Sequence, residues 1–149
     1  MKGAEEILAR VRELAERELS RDEILRGAVS VLKQECPHYN WVGIYLLEGD
    51  ILVLHNYLGK ATEHTRIPVG TGVCGSAVRD RENKIVGDVT GIENYLACSV
   101  ETRAEIVVLI RRGEQILGQI DIDSDTPNAF GASDEELLER VAQALAPLL

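Results

Sequence analysis

The stretch from Arg66 to Ala77, R-I-P-V-G-T-G-V-C-G-S-A, concentrates the most reactive chemistry in the chain. It reads as a short strand, a glycine-rich turn and the opening of a helix, with Cys74 at the junction. Gly70 and Gly72 can take positive φ without a Cβ penalty, and Gly75 leaves room for close approach, so backbone N–H groups can gather there. A helix start adds unpaired donors and the positive end of the dipole. Both favour a thiolate, so Cys74 is expected below the free-thiol pKa of about 8.5. The same residues fit Gly-x-Gly-x-x-Gly, but a dinucleotide fingerprint needs a long following helix and a second parallel strand ending in an acid. Here the helix can run only from about Val73 to Asp80 before Arg81-Glu82-Asn83. That match is accidental.

A second group of candidate residues is acidic. From Gln115 to Asp123 the sequence alternates, placing Ile116, Gly118, Ile120 and Ile122 on one strand face and Leu117, Gln119, Asp121 and Asp123 on the other. On the preceding strand Glu105, Val107 and Leu109 share a face. If those faces coincide, Glu105, Asp121 and Asp123 converge, and like charges held together await a cation, an ammonium group or a proton. A solvated face carrying acids for solubility accounts for them equally well, and both readings stand at this point. Calcium in an EF-hand loop does not, because Thr126 and Ala132 occupy the places of its glycine and its bidentate glutamate. Cys36-Pro37-His38 offers two metal ligands without a third nearby and reads as a helix end. No residue is assigned to a metal.

The elements that must position these groups follow from periodicity. Ile7, Leu8, Val11, Leu14 and Ala15 mark an amphipathic helix to about Leu19. Ser20 to Glu23 is a capping box opening a second helix that ends before Pro37. Tyr39 to Leu47 and Ile51 to Tyr57 form a hairpin around Glu48-Gly49-Asp50. Trp41, the one tryptophan, suits a core or the wall of a ligand pocket, and the core is the plainer reading. Lys84 to Val89 is a further strand with Asp88 near its end, Thr90 to Asn94 a polar loop, and Cys98 lies close to it. Glu105 to Ile110 and Gln115 to Asp123 pair at the end of the sheet. Ser133 to Glu136 is a second capping box for a closing helix bearing Leu137, Leu138, Val141 and Leu145. Helices at both termini around one antiparallel sheet make an α+β fold with those helices on one face.

Composition bounds the function classes. The 149 residues are 45% hydrophobic and 28% charged, enough for one domain with a single core. A formal charge of −9 argues against nucleic-acid and anionic-membrane surfaces. No apolar run approaches the ~18 residues of a membrane span, and the opening residues are a charged amphipathic pattern, so a cytoplasmic setting is expected. Three cysteines, Cys36, Cys74 and Cys98, make no disulfide framework and no Cys-x-x-Cys pair.

Several separated motifs, in order, carry a resemblance: Asn40-Trp41-Val-Gly-Ile-Tyr45, Arg66 to Gly75, Asp88-Val89, Leu96-Ala-Cys98, Glu105-Ile-Val107 and Gly118-Gln-Ile-Asp-Ile-Asp-Ser124. With them the chain resembles GAF domains and, among these, is similar to the free methionine-(R)-sulfoxide reductases. The resemblance implies a single GAF domain over 1–149, with amino-terminal helices over 1–36, sheet and pocket over 39–123 and a closing helix over 133–149.

It also implies a thiol reductase of the free amino acid. The family's nucleophile falls on Cys98, which would attack the sulfoxide sulfur and become a sulfenic acid. Trp41 would pack on the substrate methyl group, and Glu105, Asp121 and Asp123 would bind the ammonium and stabilise developing charge, with Asp88 as an additional contact. No bound cofactor is implied; electrons would come from thioredoxin or a small thiol. The family pattern has a further cysteine before Arg66, and here His64 holds that position within Thr62-Glu-His-Thr65. Cys74 can take over as the resolving thiol, or an external thiol can reduce Cys98 directly. GAF domains also serve as sensors, so a non-catalytic small-molecule or redox-sensing module is the alternative. A homodimer through the amphipathic terminal helices with a vestigial pocket is a third reading.

Overall fold

A computed structural model describes residues 3–90 and 101–149. Two amphipathic helices come first, α1 (Ala4–Glu16) and α2 (Arg21–Glu35). The helix expected to reach Leu19 stops at Glu16, and the Arg17 N–H closes on the Leu14 carbonyl. Ser20 caps α2 as anticipated: its hydroxyl accepts the Glu23 N–H (3.1 Å) and the Glu23 carboxylate accepts the Ser20 N–H (3.2 Å).

The chain then forms β1 (Trp41–Glu48) and β2 (Ile51–Leu58), turning through Gly49 at φ 66°. There follow β3 (Arg66–Pro68), α3 (Gly72–Asp80) and β4 (Lys84–Val86), the last shorter than the expected strand to Val89. Strands β5 (Ala104–Arg112) and β6 (Gln115–Ser124) and the helix α4 (Ala132–Leu145) complete the fold, and a 3-10 turn ends it at Leu148. α4 begins one residue before Ser133. The Asp134 carboxylate, not Ser133, anchors this end by accepting the Gly131 N–H (2.9 Å), and it also accepts the Tyr39 hydroxyl (2.6 Å). One half-buried acid thereby ties the closing helix to the start of the sheet.

Among the described residues the strands form one antiparallel sheet in the order β3-β2-β1-β6-β5-β4. β5 and β6 therefore lie inside the sheet rather than at its end, because β6 pairs with β1 and the short β4 covers β5. α1, α2 and α4 pack together on one face, over Val42, Ile44, Ile106, Val108, Ile120 and Ile122. This is the α+β arrangement expected. The apolar stripe of α1, Ile7, Leu8 and Val11, is buried within the chain. Each such fully buried aliphatic side chain is worth roughly 1.5–3 kcal/mol.

The opposite face carries a smaller cluster in which Val73, Cys74, Ala77 and Val78 of α3 meet Trp41, Tyr45, Val107, Leu109 and Ile116. Ile116 belongs here, whereas alternation placed it with Ile120. The physical cause is a bulge: Ile110 pairs with Gly118 but Arg111 pairs with Ile116, leaving Leu117 as an extra residue that inverts the facing of everything before it.

Candidate active site

Antiparallel register assembles the site on the α3 face. Glu105 of β5 lies directly opposite Asp123 of β6, and Trp41 of β1 faces Asp123 from the other side. Two residues along, Val107 and Gly43 flank Asp121. The three carboxylates do converge, and they are not a solvated face: Glu105 is 4% exposed, Asp121 2% and Asp123 2%. Asp121 Oδ1 and the neighbouring Gln119 Oε1 have no hydrogen-bond partner among the described residues.

Cys74 sits on the first turn of α3, pressed onto this face. Its Sγ is 3.7 Å from Glu105 Oε2, and Gln119 Nε2 donates to the Cys74 carbonyl at 3.0 Å, pinning the helix start to the sheet. Gly70 (φ 95°) and Gly72 (φ 66°) make the turn, and Gly75 packs so close that a Cβ there would lie 2.5 Å from the Pro68 carbonyl oxygen. The low thiol pKa expected of a helix start is overturned. Burial, then the negative charges of Asp121 and Glu105, push the Cys74 pKa well above the ordinary thiol value. Desolvation outweighs the helix end because the thiol is sealed beneath α3 beside carboxylates. Burial likewise raises Glu105 well above a normal carboxyl, with Asp121 and Asp123 adding to it, and raises Asp121.

A small cavity of about 10 Å³, room for about one water, is lined among the described residues by Tyr45, His64, Ile67, Cys74, Glu105 and Asp121, with Gly72 and Val73 at the helix start. His64, where the resemblance implies a cysteine, is thus at the cavity, and its carbonyl accepts the Tyr45 hydroxyl at 2.7 Å. Trp41 is 3% exposed, stacked on Tyr57 with centroids 5.2 Å apart, its indole N–H donating to the Lys60 carbonyl. Its ring lies across Gly43, where a Cβ would come within 2.4 Å of it.

The other candidates fall elsewhere or outside view. Asp88 is exposed, and its Oδ1 accepts both the N–H and the hydroxyl of Thr90, making a local turn after β4. Cys98 and the rest of 91–100 lie outside the described residues. Cys36 is buried in the helical core with its pKa pushed up to about 11 by burial, and His38 turns to Asp134 (3.5 Å). Sequence reasoning passed over Tyr45, Gly43 and Gln119. The signal was present: applying to β1 the alternation applied to β6 puts Trp41, Gly43 and Tyr45 on the carboxylate face.

Comparison with known proteins agrees with this fold. The GAF domain family model matches residues 18–149. The free methionine-R-sulfoxide reductase of Escherichia coli is 37% identical over 125 residues, spanning 84% of this chain and 75% of the relative. Among solved structures, the type II free methionine-R-sulfoxide reductase of Thermoplasma acidophilum is 38% identical with a TM-score of 0.81, covering 93% of this chain and 94% of that one. The Neisseria meningitidis free methionine-R-sulfoxide reductase, solved with its substrate, is 33% identical with a TM-score of 0.91, covering 97% and 87%. The chain belongs to the GAF domain family, and within it is similar to the free methionine-R-sulfoxide reductases.

Proposed function

We propose that this protein reduces free L-methionine-(R)-sulfoxide to methionine, with an external thiol as the source of electrons. The observation that carries the reading is a buried thiol and buried carboxylates around one small cavity, in a chain similar to reductases of that substrate. A free amino acid brings an ammonium group, which satisfies carboxylates that otherwise repel one another.

In this mechanism the Cys98 thiolate attacks the sulfoxide sulfur. Glu105, whose carboxyl is pushed well above the ordinary value by burial and by Asp121 and Asp123, gives its proton to the departing oxygen. Sulfur of the substrate is reduced, methionine leaves, and the oxygen with its proton remains on Cys98 as a sulfenic acid. Cys74 then condenses with it, releasing water and leaving a disulfide, which thioredoxin or a small thiol reduces with two electrons. A neutral, buried thiol is a poor first nucleophile, which supports assigning the initial attack to Cys98 and the second step to Cys74. Trp41 packs on the substrate methyl group, and Asp121 and Asp123 hold the ammonium.

The test is methionine formation from the free (R)-sulfoxide, with the free (S) form and a peptide-bound sulfoxide as controls, using dithiothreitol and a thioredoxin system. Selective turnover of the free (R) form is expected. Folded, reduced protein that binds the substrate without turning it over would instead be a sensor module.

A further inference from the structure

The same face presents a second kind of chemistry. Cys74 Sγ and a carboxylate oxygen each from Glu105 and Asp121 all lie within 4.8 Å of one another, and all three residues are buried. Their backbones are fixed independently, by the first turn of α3 and by adjacent interior strands β5 and β6. Asp121 Oδ1, on a side chain 98% buried, has no hydrogen-bond partner among the described residues although the carboxylate lines the cavity. No lysine or arginine is among the described residues lining that cavity. A desolvated carboxylate oxygen without a donor is costly, and a cation relieves it.

We propose that Cys74, Glu105 and Asp121 form a capture site for a thiophilic divalent cation of the Zn²⁺ class, which occupies the cavity in competition with the amino-acid substrate. One sulfur and two oxygens match the three-ligand donor set of a zinc centre that keeps its fourth position open. The sulfur ligand selects against Mg²⁺ and Ca²⁺, which take oxygen donors only. Binding moves no electrons: the thiol proton and any carboxyl proton leave to solvent as the cation enters. The cation neutralises the like charges that the ammonium of the substrate would otherwise meet, so the two exclude one another. The inhibitory half of this inference rests on the reductase reading, while the binding half does not.

The probe is CoCl₂ added anaerobically to the reduced full-length protein, read by the sulfur-to-cobalt charge-transfer band in the near ultraviolet and followed by displacement with ZnCl₂. One equivalent is expected to saturate the band in the wild type and in Cys36→Ala. Cys74→Ser should lose the band, and the near-isosteric Asp121→Asn should weaken binding at least about tenfold, the effect that even outer partners of a metal centre command. Circular dichroism establishes that each variant is folded. Absence of the band in the wild type overturns the proposal, as does a band that survives Cys74→Ser or depends on Cys98 alone. MgCl₂ in equal excess should leave the band intact, and displacement by it would overturn the selectivity. If the cobalt band behaves as expected but the protein has no reductase turnover, the reductase reading fails and the metal site stands. If turnover is present and ZnCl₂ fails to raise the apparent KM for the sulfoxide, competition is refuted.

Discussion

Replacing Glu105 by glutamine should remove a loss of stability that the wild type suffers as pH rises, while also removing the acid on which the proposed chemistry depends. Glu105 is 4% exposed, faces Asp123 in register and is contacted by the Cys74 thiol. Burial and the two aspartates hold its pKa well above 4.5, so the folded state keeps a proton that the unfolded chain releases. Where the native state binds one proton more, the free energy of unfolding falls with rising pH by about 1.4 kcal/mol per unit. The loss begins near the unfolded carboxyl pKa and ends at the folded one. Glutamine keeps the shape and cannot titrate, so the wild type should fall progressively behind the variant through that window. With urea m-values of roughly 1–3 kcal/mol/M, the midpoints should separate by about 0.5–1.4 M per pH unit. Because Glu105 and Asp121 interact, the difference profile belongs to the pair rather than to one residue. Urea titrations of both proteins from about pH 5 to 8 measure it. Parallel profiles across that range would refute the claim that burial holds a proton on this cluster.

Cys98→Ser should abolish methionine formation, and wild-type activity in that variant would sink the mechanism. Cys74→Ser should spare the first turnover but slow recycling through thioredoxin, which rapid-quench and steady-state rates separate; an unchanged steady-state rate removes its resolving role. Gly43→Ala would set a Cβ 2.4 Å from the Trp41 ring and displace it, costing about 1–3 kcal/mol and shifting the emission of the one tryptophan. An unaltered spectrum and melting temperature would contradict that packing. Gly75→Ala places a Cβ 2.5 Å from the Pro68 carbonyl oxygen, and a comparable loss of stability is expected by thermal denaturation.

Much of this architecture was legible in the residues themselves. The Ser20 capping box, the hairpin about Gly49 and the period-two pattern of Gln119, Asp121 and Asp123 are local signals, and local geometry honours them. What was not legible depends on contacts distant in sequence. The facing of Ile116 reverses at a bulge that only the pairing of β5 with β6 creates. Nothing in the nine residues of α3 states that it covers the face opposite α1, α2 and α4. The acidity of Cys74 was misjudged for the same reason: the helix end is written in the adjacent glycines, whereas the burial and the two carboxylates that outweigh it come from β5 and β6. The roles of Tyr45 and Gln119 were hidden because each acts through a backbone carbonyl, His64 for one and Cys74 for the other.

The division of the sheet into a face sealed by three helices and a face covered by one short helix bears on how such a protein can change. Most of the buried apolar side chains lie beneath α1, α2 and α4, so the fold is secured without reference to Trp41, Tyr45 or the acids. Alternation along each strand lets side chains on the α3 face be exchanged while their immediate neighbours continue to hold the helices. A mutational library confined to that face would therefore sample ligand chemistry on a nearly constant chassis. The same partition gives a lineage room to drift between catalysis and sensing without first surrendering its core.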